Sequence, residues 1–288
     1  MSSVLLQGAG VEKRFGRVPA LRGIHFSLHP GESVSILGAN GAGKSTLLRI
    51  LAGLSRPSRG TFQALRPEPA ESPSSDTQSP APNTPLGEPL SREALRGEVG
   101  YVGHATLVYS ELTARENLEF AARLHGRSPE RDSIDAILAE VDLIEFADRR
   151  AGSFSRGMAQ RLSIARAIVH EPHILLLDEP FTGLDESSAE RLSTQLSALR
   201  GGDRTLILVT HDPRRAIELS DRALILDRGE IRATPGRPHG TGDGSAESEP
   251  FELAALRETL SRLSNTGSRF RGGAGASSNQ SHPPEVGP

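Results

Sequence analysis

Residues 38–46 read Gly-Ala-Asn-Gly-Ala-Gly-Lys-Ser-Thr. With Gly38, Gly43, Lys44 and Ser45 at the fixed positions, the run fits the spacing G-x-x-x-x-G-K-[ST] of a phosphate-binding loop. The chemistry follows from the residue types. Glycines let successive N–H groups converge on phosphate oxygens, and a helix starting here adds its positive end. Lys44 would reach the outer phosphates of a nucleoside triphosphate, and the Ser45 hydroxyl would bind Mg2+. Asn40, Gly41 and Thr46 complete the loop as candidate contacts. The competing reading is an ordinary glycine turn. Composition weighs against it: of 33 basic residues only Lys13 and Lys44 are lysine, so a lysine inside a glycine loop stands out.

Two acids form the second signal. In Ile174-Leu175-Leu176-Leu177-Asp178-Glu179-Pro180 an apolar run ends in Asp178 and Glu179. Acids at a strand end often only cap a helix. Downstream of a phosphate loop, Asp178 would hold Mg2+ through water and Glu179 would orient or deprotonate an attacking water. His211 follows another apolar run, Thr205–Thr210. A lone histidine there is usually structural; beside a γ-phosphate its imidazole would hydrogen-bond phosphate or water. A weaker candidate is Phe154-Ser155-Arg156-Gly157-Met158, which offers a serine hydroxyl and helix N-terminal amides to an anion.

These groups need a scaffold that brings them together. Ser33–Leu37 is a short strand running directly into the glycine loop, and Leu47, Leu48, Ile50, Leu51 and Leu54 then supply a helical apolar face. Val4–Leu6 and Gly23–Leu28 are β-like. Glu98–Val102 predicts a strand, and Thr113–Glu116 a capping box opening a helix through Leu118, Phe120, Ala121 and Leu124. Further helices are expected over about Ile134–Phe146 and Gly157–Val169, the latter stopping at Glu171-Pro172. Ile174–Leu177, Thr205–Val209 and Ala223–Leu226 are buried-strand runs, each with a helical stretch before the next. A parallel α/β sheet with a helical insertion is the natural assembly.

Bulk properties bound the rest. The 288 residues carry a net charge of −3, which gives no footprint for nucleic acid. Without cysteine there are no disulfides and no cysteine-based zinc sites. No apolar run approaches the ~20 residues of a membrane span, and no signal core opens the chain, so an intracellular protein is expected. Residues 65–92 hold seven prolines and residues 235–288 hold six, and both stretches are expected to be mostly disordered. Within the tail, Leu253, Leu256, Leu260 and Leu263 predict a short helix over 250–264, either capping the domain's own surface or binding a partner.

Taken in order, Phe15, the loop 38–46, Phe154–Met158, Leu175–Pro180, Thr182-Gly183-Leu184-Asp185 and His211 resemble the nucleotide-binding subunits of ABC transporters over residues 1–234, apart from the proline-rich insert. That resemblance implies a P-loop NTPase of the ABC-ATPase type. A RecA-like core would be joined by an antiparallel β subdomain and by a helical subdomain over about 105–170. It implies ATP as substrate, with Phe15 stacking on adenine; plain packing is the alternative for Phe15. It implies a head-to-tail pair, homodimer or related cassette, in which Ser155 and Gly157 contact the nucleotide bound by the facing subunit. Asp185 would link the two sites. The partner would be an integral membrane permease on a separate chain, with this protein peripheral on the cytoplasmic face of the membrane.

Three departures from the pattern stand out. Arg156 replaces the usual first glycine of the signature, and Met158 its final glutamine. Gly103-His104 stands where Pro-Gln is usual; glutamine there touches Mg2+ and relays to the permease, so His104 becomes a candidate metal contact. The insert at 65–92 falls in the antiparallel part and should be a tolerated surface loop. Gly103-His104 with Leu112–Leu118 is similar to the haem-exporter ATPases of cytochrome c maturation. Two alternatives to that narrower match are an ABC-2 type exporter ATPase of other substrate and a soluble ABC ATPase acting on ribosome or nucleic acid. Translation-factor relatives carry two cassettes and a basic linker, which this chain lacks.

Overall fold

The computed structural model of the chain describes residues 5–66, 88–200, 204–236 and 251–268. Two sheets organise them. Strands β1 (Leu6–Phe15) and β2 (Val18–Leu28) form an antiparallel hairpin, and β3 (Ser33–Leu37) begins the second sheet. Strand β4 (Arg59–Ala64) pairs with the free edge of β1, giving the order β2-β1-β4. The two N-terminal strands outrun the apolar runs expected at Val4–Leu6 and Gly23–Leu28, because half of their side chains face solvent and leave no hydrophobic trace. Val4 itself lies outside the described residues.

The second sheet has β5 (Val99–Val102), β6 (Ile174–Asp178), β7 (Thr205–Val209), β8 (Arg222–Asp227) and β9 (Glu230–Ala233) in the order β5-β6-β7-β3-β8-β9. All its pairings are parallel except β8 with β9. Every residue of β3, β6 and β7 is buried. A parallel sheet covered on both faces demands such runs, which is why these strands were legible as apolar stretches.

Helices α1 (Lys44–Leu51) and α2 (Arg92–Gly97) follow β3 and β4. Leu54, expected on the face of the first helix, lies beyond its end and is half exposed. The helix stops because Gly53 takes φ 65, the left-handed conformation that closes many helices. Between β5 and β6 lie α3 (Ala114–Leu124), α4 (Arg131–Glu140) and α5 (Arg156–Ile168), built around Leu118, Ile134, Leu138 and Leu162. The capping box forms at α3: the Thr113 amide donates to Glu116 Oε2 at 2.7 Å, and the Glu116 amide to Thr113 Oγ1 at 3.2 Å. Phe120 and Leu124, expected on the apolar face of α3, are exposed.

The helix expected over Ile134–Phe146 is two pieces. Helix α4 ends at Glu140, Asp142 adopts φ 55, and a 3-10 turn covers Ile144–Phe146. The break is held by buried Arg161, whose Nη1 donates to Val141 O at 3.3 Å and Asp142 O at 3.0 Å. Carbonyls orphaned at a helix end thus find a donor from α5.

Helices α6 (Glu186–Leu199) and α7 (Pro213–Leu219) complete the alternation with the strands, and α8 (Leu253–Ser268) lies in the tail. Its Leu256 is buried with Leu37, Ala216, Ala223 and Ile225, so the tail helix packs on this chain's own α7 and sheet. The span 65–92 expected to be disordered is partly laddered: Leu65 bridges Pro89, and Ser91 caps α2. Pro235 also pairs, its carbonyl accepting from the Ala223 amide at 2.9 Å. Residues 67–87, 237–250 and 269–288 lie outside the described residues. Among the described residues no helix is long and apolar enough to cross a membrane.

Candidate functional site

In the second sheet β6, β7 and β3 are neighbours, so their carboxyl ends converge on one crevice. The glycine loop leaves the end of β3 in a path only glycine tolerates at two points. Gly38 has φ 148 and Gly43 φ 108. A Cβ on Gly38 would lie 2.2 Å from Leu226 O, and one on Gly43 2.7 Å from Ala20 O. Conformation and close backbone approach both exclude a side chain there.

Helix α1 begins at this loop with no side-chain cap, although Thr113, Ser155, Asp185 and Asp212 cap α3, α5, α6 and α7. Its first-turn amides are therefore left for another acceptor, and the positive end of the helix dipole points the same way. Lys44 is nearly buried, and its Nζ donates to Gly38 O at 2.8 Å and Ala39 O at 3.2 Å. A cation held on carbonyls of its own loop stands ready for an anion that would satisfy it better.

Ser45 Oγ donates to Asp178 Oδ1 at 3.2 Å, joining the loop to the end of β6. Asp178 is buried and has no basic partner among the described residues. One carboxylate and one hydroxyl, both hard oxygen donors, suit Mg2+, which commonly takes few protein ligands and fills its shell with water and phosphate. The residues present fit that ion.

Glu179 is the next residue and sits in a left-handed conformation, φ 55. Its amide donates to Val209 O at 2.9 Å, and its Oε2 lies 2.8 Å from His211 Nδ1. The Glu179 side chain is largely sheltered, with 17% exposed, whereas His211 is 69% exposed. Together the loop, Glu179, His211 and His104 line a cavity of about 650 Å3. Gly38, Asn40, Gly41, Gly43, Lys44, Ser45 and Thr46 are all on its wall. Two wall residues, Thr182 and Ala20, are not among the contacts expected from the sequence. Thr182 had a signal, since it falls three residues after Glu179. Ala20 had none, because it arrives from β2 through the tertiary fold.

Four sequence candidates lie elsewhere. Phe15 is exposed at the end of β1 with Lys13 Nζ 5.3 Å from its ring centroid, and it is not on the cavity wall. Ser155 Oγ caps α5, accepting from the Met158 amide at 3.3 Å. Gly157 faces Ser188 at the start of α6. Asp185 caps α6, accepting from the Ser188 amide and the Ser187 hydroxyl, both at 2.8 Å. The Ser188 amide and those hydroxyls hold its carboxyl below the usual range.

A second concavity, of about 240 Å3, lies between β5, α3 and α5. His125 and His170 stack there with ring centroids 3.7 Å apart and planes 3° from parallel. His170 Nε2 lies 3.2 Å from Val99 O. Burial pushes His170 down to about 4 and lowers His125 as well. Arg166 sits over Tyr109 at 5.3 Å, and Tyr109 meets Phe120 edge-on at 5.0 Å. No motif announced this cluster.

Comparison with known proteins places this geometry in context. Residues 21–182 match the family model described as ABC transporter. The Nod factor export ATP-binding protein I of Rhizobium sp. (strain N33) is 35% identical over 243 residues, 83% of this chain and 73% of that protein. The macrolide export ATP-binding/permease protein MacB of Rhodopseudomonas palustris (strain BisB18) is 34% identical over 281 residues, 94% of this chain and 40% of that protein. Among solved structures, a dimeric ATP-binding cassette in a post-hydrolysis state bound to ADP and Pi is similar at a TM-score of 0.65 and 27% identity. The match covers 81% of this chain and 98% of that one.

Proposed function

The chain belongs to the ABC transporter family, and on that premise we propose that it is the ATP-hydrolysing subunit energising export through a membrane permease. Family membership makes it an ATPase. Export is the further step. The relatives that support it are named for Nod factor export, macrolide export and daunorubicin resistance. Haem as cargo rests on Gly103-His104 and Leu112–Leu118 alone, so export carries further than any one substrate.

One observation carries the mechanism: Glu179 Oε2 against His211 Nδ1 at 2.8 Å on the wall of the loop cavity. An Nδ1–H donor fixes the carboxylate, leaving its other oxygen to take a proton from water. Lys44 would exchange its loop carbonyls for the outer phosphates, and the α1 amides would receive the rest of the triphosphate. Ser45 and Asp178 would hold Mg2+, with His104, which also lines the cavity, a further candidate. Bound there, Mg2+ supplies charge neutralisation for the triphosphate. Asn40, Gly41 and Thr46 complete the cradle.

Ser155 and Gly157 lie off this wall, and we assign them to a facing subunit's nucleotide, in a homodimer or with a related cassette; Asp185, also off it, would link the two sites. The similar structure with ADP and Pi is a dimer. Phe15, exposed at the end of β1, is assigned to adenine. Leu107, Tyr109, Phe120 and Leu124 are exposed around the second concavity, next to the strand end that carries His104. We assign this apolar rim to the permease, with the chain peripheral on the cytoplasmic face.

Glu179→Gln keeps the shape of the site and removes the base. The expected outcome is ATP binding within a few-fold of wild type and Mg-ATPase lowered by about a hundredfold or more. Hydrolysis surviving at near the wild-type rate would overturn the assignment of Glu179.

A further inference from the structure

Arg156 opens α5, and its guanidinium lies where a side chain of Gly183 would be. A Cβ on Gly183 would fall 2.3 Å from both Arg156 Cζ and Nη1, and 2.7 Å from Nη2. Those are the three atoms nearest that position, so nothing comes closer to that face of Gly183. The Arg156 side chain makes no ion pair or hydrogen bond among the described residues. Its head group covers Gly183.

Gly183 sits in the turn that joins the end of β6 to α6. The turn is short of internal support. It has two long backbone bonds, Thr182 N to Glu179 O and Leu184 N to Phe181 O, both at 3.2 Å. Two of its residues are left-handed, Glu179 at φ 55 and Gly183 at φ 73. The same turn carries Glu179 and Thr182 onto the nucleotide cavity wall. A second contact from α5 flanks the first: a Cβ on Gly157 would lie 3.0 Å from Ser188 Oγ. Residues 156 and 157 therefore lie against residues 183 and 188.

We propose that Arg156 is a positioning residue for hydrolysis: by covering Gly183 it fixes the 179–185 turn, and through it Glu179 and Thr182, to the start of α5. The effect on rate rests on Glu179 being the base. The side-chain type suits the task. A planar, weakly hydrated guanidinium lies against backbone, whereas the compact ammonium of lysine keeps its water. The glycine that the family usually places at this position would leave Gly183 uncovered.

The test measures Mg-ATPase kinetics and backbone amide exchange on the full chain. Arg156→Ala is expected to lower kcat about tenfold and leave KM for ATP within twofold, because the phosphate loop is untouched while the base is misplaced. Arg156→Lys is expected not to restore the rate. Exchange at the amides of Thr182 and Leu184 should rise in Arg156→Ala, with the amides of Leu47–Leu51 unchanged. Gly183→Ala meets the guanidinium, so its effect on kcat should shrink about fivefold when Arg156 is already alanine. Unchanged kcat with unmoved exchange, or strictly additive effects of the two substitutions, would overturn the proposal. Should Glu179→Gln retain activity while exchange and coupling behave as stated, the positioning role stands and only the identity of the base falls.

Discussion

The cavity at the glycine loop is walled mostly by residues of one short segment, 38–46, with a few residues from neighbouring strand ends. The concavity between β5, α3 and α5 is walled by residues from separate elements, the long side chains of Tyr101, Leu107, Leu124, His125, Arg166 and His170 among smaller ones. In the first, the chemistry resides in main-chain amides that only glycines can aim. In the second, it arises when the fold stacks two imidazoles and places an arginine over a tyrosine. A site of the first kind tolerates little change in sequence and much change around it. A site of the second kind takes its properties from its surroundings. The two should therefore fail differently when perturbed.

The largest effect is expected at Lys44. Its Nζ is the cation that the loop holds on Gly38 O and Ala39 O. Lys44→Ala removes charge stabilisation at the outer phosphates, and Mg-ATPase should fall by about a hundredfold to a thousandfold. The alanine retains the helix, so the thermal midpoint without nucleotide should stay within a few degrees. Activity near wild type would remove the loop from the chemistry and erase the contrast between the two sites.

What was legible in the sequence follows the same divide. Ser33–Leu37 and Thr205–Val209 were readable to the residue because a doubly covered parallel strand is apolar throughout. The loop was readable because its function fixes residue types at consecutive positions. The sequence pattern merges helix α4 and its 3-10 turn into one helix, because the partner that splits them, Arg161, is supplied from α5. The same holds for Ala20 on the cavity wall and for the stack of His125 on His170, residues 45 apart in the chain. Local pattern carries no information about side chains that meet only through tertiary packing.

His170 provides the next break point. Burial holds it at about 4 against an ordinary 6.5. Between those values the unfolded chain takes up a proton that the folded chain refuses. Stability is therefore complete above about 6.5 and declines as pH falls towards about 4. At 1.36 kcal/mol per pH unit the decline from this residue is on the order of a few kcal/mol. The lowered His125 acts in the same direction. His170→Phe keeps a flat ring beside His125 and cannot titrate. Denaturation midpoints at pH 7.5, 6 and 5 should fall less steeply for the variant than for wild type. Its Mg-ATPase at pH 7.5 should stay within twofold of wild type, since no cavity residue is altered. Parallel pH profiles would show that the stack contributes nothing to acid sensitivity.

The smallest effect on the isolated chain is expected at Leu124, and it separates the two sites most sharply. Leu124 is 66% exposed at the last position of α3, and Leu107 is exposed to the same degree across the concavity. Neither supports the core, so exchanging them for glutamine should move stability by no more than about 0.5 kcal/mol. Glutamine is preferable to glutamate, because a carboxylate in the last turn would oppose the negative end of the helix. Both substitutions lie outside the 38–46 loop, so basal Mg-ATPase should be unaltered. Recovery of the double variant with a permease from solubilised membranes should nevertheless fall severalfold, because the apolar area assigned to that partner is now polar. Undiminished recovery would detach the rim from the permease. It would also leave the cluster of exposed Leu107, Tyr109, Phe120 and Leu124 in need of a different occupant. Loss of basal ATPase without loss of recovery would mean that the rim acts on the nucleotide cavity directly, through β5 and His104, and the two sites would then have to be treated as one.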